Sequence, residues 1–109
     1  KMINLFNCRA KDILIGIGPG IGPCCFRHKN YIQEKLPEWK KYIENTKDNK
    51  KTIRISDFIK DQLKLSGIKK TNIEIIKDCS CCSQKFFSHF RSIRNNEPEG
   101  RFATIIGMK

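Results

Sequence analysis

Apolar positions along the chain fall into short runs, and their spacing predicts short strands separated by loops and by a few helices. Runs rich in β-branched residues predict a strand at residues 13–17, a short extended piece at residues 52–55 and a strand at residues 73–76. Alternation around aromatic and β-branched residues predicts two later strands, at residues 86–90 and 102–106.

Helical spacing of apolar residues occurs in three places. Residues 26–36 predict a short amphipathic helix, and Pro37 ends it or begins the next one. Beyond it, an apolar stripe one turn apart consists of Trp39, Tyr42 and Ile43. The strongest pattern covers residues 56–66, with Ser56 as its N-cap and Gly67 as its terminator.

This mixture of short strands with two or three helices predicts an α+β fold built of mixed α/β layers. The 109 residues amount to one domain at most. The chain opens on Lys1 rather than methionine, and residues 1–11 resemble the end of an element whose beginning is absent. We therefore expect an incomplete half of a larger single domain.

Charge and hydropathy narrow the function classes. The net charge of +11 suits a nucleic-acid or acidic partner, but the lysines are scattered and not interleaved with aromatic residues, which argues against nucleic acid. No apolar run approaches the ~20 residues of a membrane helix, and no signal peptide is visible. We expect a cytoplasmic protein without a membrane partner.

The run GPGIGPCCF at residues 18–26 follows the first predicted strand directly. Glycine allows a positive φ or a close approach of the backbone to a ligand, and backbone amides there can hold an anion. We therefore expect Gly18, Gly20 and Gly22 to help bind substrate; the alternative is a strand-to-helix turn without a ligand.

Six cysteines invite a disulfide or a metal interpretation, and they are Cys8, Cys24, Cys25, Cys79, Cys81 and Cys82. Disulfides need an oxidising compartment, which nothing here indicates. Zinc favours thiolate and imidazole, so Cys79 and Cys82 could join a subset of Cys24, Cys25 and His28 in a small structural zinc domain. The other interpretation, which we prefer, is packed thiols that bind no metal.

A predicted strand at residues 86–90 would place Phe87, His89 and Arg91 on one face, because side chains alternate along a strand. An aromatic ring, an imidazole and a guanidinium together suit an aromatic ligand that bears phosphate. The alternative is an edge strand with a solvated polar face. Glu97 and Glu99 are interpreted as solvated loop carboxylates.

Three blocks carry a resemblance to a known family. They are the run at residues 18–26, the LKLSGI run at residues 63–68 that leads into CSCC at residues 79–82, and FFSH at residues 86–89 followed by GRFA at residues 100–103. In this order they resemble the carboxyl-terminal part of the laccase-domain or polyphenol-oxidase-like proteins, also described as purine nucleoside phosphorylases. The resemblance covers nearly all of residues 12–107.

The resemblance implies a metal-dependent enzyme, with zinc as the metal and copper as the older assignment. It implies purine nucleoside and phosphate as substrates: phosphorolysis of adenosine, inosine or methylthioadenosine, a transferase reaction, and hydrolytic deamination of adenosine. The family's metal site uses two histidines and a cysteine, one histidine in an H-A-G-W motif that does not occur here. The resemblance therefore assigns this chain no metal ligand and no catalytic residue.

Residues 1–109 are accordingly expected to form an inactive carboxyl-terminal portion, completed by a missing amino-terminal half or by a second copy. Two departures from the family pattern affect substrate positioning: Arg54 and Ser92 stand where the family carries acidic residues. The alternatives are a basic, non-enzymatic module that binds RNA or an acidic partner, and the structural zinc domain.

Overall fold

The computed structural model describes residues 2–107. Two short parallel strands, one near the beginning of the chain and one in its second half, pair with each other. Strand β1 (Ile15–Ile17) pairs with β5 (Ile73–Ile75). An isolated parallel bridge between Gly20 and Cys79 continues this pairing beyond the strands. The loops that follow the two strands therefore run side by side.

A second sheet has three antiparallel strands in the order β2-β4-β3. Its strands are β2 (Arg27–His28), β3 (Ile43–Asn45) and β4 (Lys51–Ile53). The hydrophobic core lies against this sheet and centres on the buried side chains of Tyr31, Tyr42 and Ile53. Partly buried residues that pack around it are Phe26, Trp39, Ile43, Ile55 and Phe58.

Within residues 2–107, three α-helices complete the fold: α1 (Met2–Leu5), α2 (Ile55–Leu65) and α3 (His89–Asn95). Short 3₁₀ helices lie between the other elements, at Ala10–Asp12, Ile32–Lys35, Pro37–Tyr42 and Lys70–Asn72. Helix α2 packs on the third of these, where the rings of Trp39 and Phe58 stack with centroids 3.6 Å apart. This stack attaches the helix to the core.

The predicted α+β class is confirmed, as are the strands near residues 13–17 and 73–76. The extended piece at residues 52–55 is confirmed in part, because β4 ends at Ile53 and α2 begins at Ile55. Gly67 follows helix α2 with φ of +89°, a backbone conformation that favours glycine. In the predicted apolar stripe, Trp39 and Tyr42 lie on a 3₁₀ helix whose first turn contains Pro37, and Ile43 begins β3.

Four local predictions are wrong. Residues 26–36 form β2 and a single 3₁₀ turn, because Tyr31 between them is extended. The N-cap of α2 is Arg54, so Ser56 lies inside the helix. Residues 86–90 are not a strand, because the Ser88 hydroxyl accepts a hydrogen bond from the Arg91 N–H and so caps helix α3. Residues 102–106 form no regular structure and pair with no strand in the described part.

Large apolar side chains stay in contact with solvent at several places. Leu14 is 74% exposed, Ile105 is 90% exposed and Ile106 is 82% exposed. The Cα radius of gyration is 16.3 Å, compared with about 13 Å for a compact domain of this length. Among residues 2–107, no helix is long and apolar enough to cross a membrane.

A buried tyrosine lowers the pKa of one carboxyl group on helix α2. The hydroxyl of Tyr42 donates to Asp61 Oδ2, and this bond is the main reason that the pKa of Asp61 lies below its ordinary value. A lowered folded-state pKa contributes stability above the unfolded pKa of about 4 and loses it as the pH falls through the folded pKa.

We therefore expect Tyr42→Phe to raise the pKa of Asp61. The stability difference between wild type and variant is expected to be larger at neutral pH than at pH values below the Asp61 pKa. NMR titration of the Asp61 carboxyl group and urea unfolding at both pH values measure this. An unchanged titration of Asp61 in the variant would contradict the assignment.

Candidate functional site

Four thiols from two distant parts of the sequence converge at the carboxyl ends of β1 and β5. The Sγ atoms of Cys24, Cys25, Cys79 and Cys82 all lie within 4.8 Å of one another. Cys82 Sγ lies 3.4 Å from Cys24 Sγ and 3.2 Å from Cys25 Sγ. We call these four residues the thiol cluster.

The parallel pairing of the two loops explains how the thiol cluster forms. The backbone turns tightly after Gly22, whose carbonyl accepts from the N–H groups of both Cys25 and Phe26. This turn brings both Cys24 and Cys25 to the same group of sulfurs, although the two residues are adjacent in sequence. The Gly20–Cys79 bridge then sets the facing loop in register.

Gly22 contacts the thiol cluster directly through its backbone. Its N–H donates to Cys79 Sγ at 3.1 Å, and a Cβ at this position would meet Cys79 Cβ at 3.2 Å and Cys24 Sγ at 3.3 Å. The absence of a side chain therefore permits close approach to the cysteines, where the sequence predicted close approach to a ligand.

The thiol pKa is lowered at one position of the cluster and raised at another. Burial raises the pKa of Cys79, but N–H groups of Gly22, Cys82 and Cys81 outweigh it and lower that pKa to about 6. Burial, followed by the hydrogen bond with Cys82, raises the pKa of Cys25 to about 12. One position of the cluster thus favours a thiolate near neutral pH.

The remaining candidate ligand, His28, lies outside the thiol cluster. Its ring packs edge-on against Phe26, Tyr31 and Phe90, with centroids 5.1, 5.3 and 5.7 Å away. The hypothesis that His28 completes a ligand set is therefore not supported by its position among these rings.

Arg91 is buried, at 7% exposure. Its guanidinium forms hydrogen bonds with other residues of the chain and does not face a ligand cavity. It donates to four backbone carbonyls at 2.8–3.1 Å, which belong to Ser80, Cys81, Ser83 and Phe86. Its Nε also donates to Glu97 Oε2 at 2.8 Å. Arg91 therefore fixes the loop that carries Cys79 and Cys82, a role with no local sequence signal.

Phe87 and His89 line one small cavity of about 310 Å³. The rest of its wall consists of Ile21, Phe26, Ser80, Ser88 and Phe90. His89 Nδ1 lies 2.7 Å from Glu99 Oε1, which also accepts from Arg101. The cavity combines aromatic surface with two hydroxyls and an imidazole, a composition typical of small-molecule sites.

The three predicted loop glycines do not line that cavity. Gly20 and Gly22 border a second cavity, of about 380 Å³, together with Cys79. Gly18 lies on a third, beside Thr104. The structure thus brings Phe87 and His89 to one cavity, buries the Arg91 side chain in the protein interior and places the three glycines on other cavities.

Comparison with known proteins assigns the fold to a family. The family model described as multi-copper polyphenol oxidoreductase laccase matches residues 1–109. This chain belongs to that family. The resemblance of the three sequence blocks is therefore confirmed.

Two curated relatives are named purine nucleoside phosphorylases. Purine nucleoside phosphorylase YlmD of Geobacillus stearothermophilus is 28% identical over 104 aligned positions, gaps included, and the match covers 90% of this chain and 37% of that protein. Purine nucleoside phosphorylase LACC1 of Mus musculus is 30% identical over 118 aligned positions, gaps included, and the match covers 97% of this chain and 25% of that protein. The chain thus spans about a quarter to two fifths of these relatives.

A solved structure shares the fold. The hypothetical protein YfiH of Bacillus licheniformis superposes with a TM-score of 0.70 at 27% identity. The match covers 84% of this chain and 37% of the other. An α+β unit with these elements therefore occurs within a longer polypeptide.

The family description names copper and so implies a metal. In residues 2–107, the close group of metal-ligating side chains is the thiol cluster, and it contains no histidine. The two-histidine, one-cysteine set that the resemblance implies does not fit it. Four thiols instead suit soft or borderline metals such as Zn²⁺ and Cu⁺.

Proposed function

We propose that this chain is the carboxyl-terminal portion of a purine nucleoside phosphorylase and forms part of the substrate pocket wall. The observation that carries the proposal is the family match over residues 1–109, combined with relatives of that name that are two and a half to four times longer. In this proposal, the catalytic groups and any bound zinc or copper lie in the portion of the enzyme that completes this chain.

The exposed apolar surface supports the proposal that another part of the enzyme packs against this chain. Leu14, Ile93, Ile105 and Ile106 are all more than two-thirds exposed, and contact with a partner would remove their side chains from water. Two kinds of neighbour fit the proposal: an amino-terminal portion of the same enzyme, or a second copy of this chain.

The proposed reaction is phosphorolysis of the glycosidic bond. A phosphate oxygen attacks the anomeric carbon of ribose, the carbon–nitrogen bond breaks, and the purine leaves with the bonding electrons and takes up a proton. Adenosine, inosine and methylthioadenosine are the proposed substrates, with hydrolytic deamination of adenosine as a second proposed activity. No residue of this chain is assigned a catalytic role.

We propose substrate-binding roles for residues at the cavity walls. Phe87 offers an aromatic face for a purine ring, and His89 offers a ring nitrogen to polar groups of the ligand. Gly18, Gly20 and Gly22 remain proposed as backbone contacts to substrate. Arg91 contributes by holding the neighbouring loop, because its donors already bind carbonyls and Glu97.

We expect the isolated 109-residue chain to release no hypoxanthine from inosine in the presence of phosphate, because it lacks the proposed catalytic portion. The assay is hypoxanthine release followed with and without phosphate, with the Geobacillus stearothermophilus relative as the positive control. Restored turnover on addition of an amino-terminal portion of that relative would support the proposal. Clear turnover by the purified chain alone, free of contaminating activity, would overturn it.

A further inference from the structure

We propose that Cys24, Cys25, Cys79 and Cys82 form a closed tetrathiolate site for Zn²⁺ that holds two loops together. The first two residues lie in the loop after β1, and the other two lie in the loop after β5. Neither the family match nor the relatives' names assign a metal to these residues. The inference rests on the geometry of the cluster and not on the proposed enzyme activity.

The sulfur positions match what zinc requires. A tetrahedral zinc with Zn–S bonds of about 2.3 Å places its sulfurs about 3.8 Å apart. The four sulfurs here lie within 4.8 Å of one another, and the two shortest separations involving Cys82 are 3.2 and 3.4 Å. Shifts of less than about 1 Å therefore convert the cluster into a zinc site.

The same distances argue against one preferred disulfide. Cys82 Sγ is nearly equidistant from Cys24 and Cys25, and Cys79 belongs to the same group. A disulfide joins one pair of sulfurs at about 2.05 Å, whereas Cys82 Sγ lies 3.4 and 3.2 Å from its two neighbours. A central metal uses all four.

The surroundings of the cluster suit a tetrathiolate. Four thiolates and one Zn²⁺ carry a net charge of −2, and the Gly22 N–H that donates to Cys79 Sγ stabilises a negatively charged sulfur. Cys24 and Cys25 also border a cavity lined by the cationic side chains of Arg27, Lys50 and Arg94 and by one carboxylate. These charges offset that of the bound site.

Four protein ligands leave no open coordination position, which is the arrangement of structural rather than catalytic zinc. The site would tie residues 57 positions apart at the end of the short parallel sheet. Arg91, which binds the carbonyls of Ser80, Cys81 and Ser83, would hold the same loop through its backbone. We therefore expect the metal to act on stability and loop geometry.

The test compares the zinc content of the protein and of two single variants, all purified with reductant and measured by elemental analysis. Cys79→Ser is expected to contain about one zinc per chain less than wild type, whereas Cys8→Ser, which lies outside the cluster, is expected to contain as much as wild type. The difference counts this site even if other residues of the polypeptide bind zinc.

A measurement on wild type alone covers the case in which Cys79→Ser fails to fold. Zinc is expected to protect the four cluster thiols from alkylation, and a chelator is expected to abolish that protection, with mass spectrometry locating each modified cysteine. Substitution with Co²⁺ is expected to give the absorption bands of tetrahedral thiolate ligation. Equal zinc in both variants, alkylation independent of zinc, or a disulfide that persists under reductant would each overturn the proposal.

Discussion

Arg91→Met is expected to lower the free energy of unfolding by about 3–5 kcal/mol. The guanidinium is buried and donates to four backbone carbonyls and to Glu97. Methionine keeps much of the side-chain volume but donates no hydrogen bond, so the carbonyls lose their partner in a site that water reaches poorly. Several lost bonds to a charged donor make this cost larger than that of an ordinary surface substitution.

The matched control is Arg94→Met on the same helix, because the Arg94 side chain is exposed. This variant is expected to change stability by less than about 0.5 kcal/mol. Chemical denaturation of the three proteins, followed by circular dichroism, measures both values. Equal stabilities for the two variants would show that the buried hydrogen bonds of Arg91 do not hold the loop.

The pH dependence of the same variant gives a second readout. Arg91 is the main cause of the lowered pKa of Glu97, so wild type gains stability above the unfolded pKa of about 4.3 and loses it as the pH falls through the folded pKa. In Arg91→Met the Glu97 pKa is expected to rise, and this contribution disappears. The difference between wild type and variant should therefore be smaller in acid than at neutral pH.

The regular elements with strong local signals were predictable from the sequence. The β-branched run near Ile15–Ile17 and the apolar periodicity of Ile55–Leu65 are both local, and Gly67 marks the helix end through its positive φ. The parallel pairing of β1 with β5 was not predictable, because nothing local to either strand encodes a partner about 58 residues away.

The segment around Arg91 shows why periodicity misleads over short distances. Residues 86–90 alternate in a way that fits a strand, but Ser88 is also a good N-cap, and the helix is favoured because Arg91 on its first turn reaches the carbonyls of the preceding loop. These hydrogen bonds join residues 5 to 11 positions apart, so the alternation of neighbouring side chains does not reveal them. The corrected position moves Arg91 from a substrate-facing strand to the interior.

The thiol cluster was predictable in part, because local spacing indicates some of its residues but not that the two loops meet. The spacing of Cys79 and Cys82 indicates a ligand pair, and a zinc site that also draws on Cys24 and Cys25 is one of the two interpretations that the sequence allows. The choice between packed thiols and a shared site depended on whether the two loops meet. The Gly20–Cys79 bridge brings them together, and that contact follows from the strand register rather than from any motif.

The second large effect is expected from metal removal. If zinc binds the folded thiol cluster and not the unfolded chain, each tenfold rise in free zinc above its dissociation constant adds about 1.4 kcal/mol to the free energy of unfolding. For a chain of this size, that step raises the melting temperature by roughly 5 °C or more. Thermal unfolding in zinc buffers of stepped free concentration, with reductant present, measures the slope.

Two comparisons separate metal ligation from a general salt effect. Cys79→Ser is expected to lose the zinc-dependent slope, whereas Cys8→Ser keeps it, because Cys8 lies outside the cluster. Mg²⁺ is expected to give no slope, since it prefers oxygen ligands in octahedral geometry. A melting temperature of wild type that does not change across the zinc series would mean that the two loops are held together without a metal, and Arg91 and the Gly20–Cys79 bridge would then be the contacts that maintain the cluster.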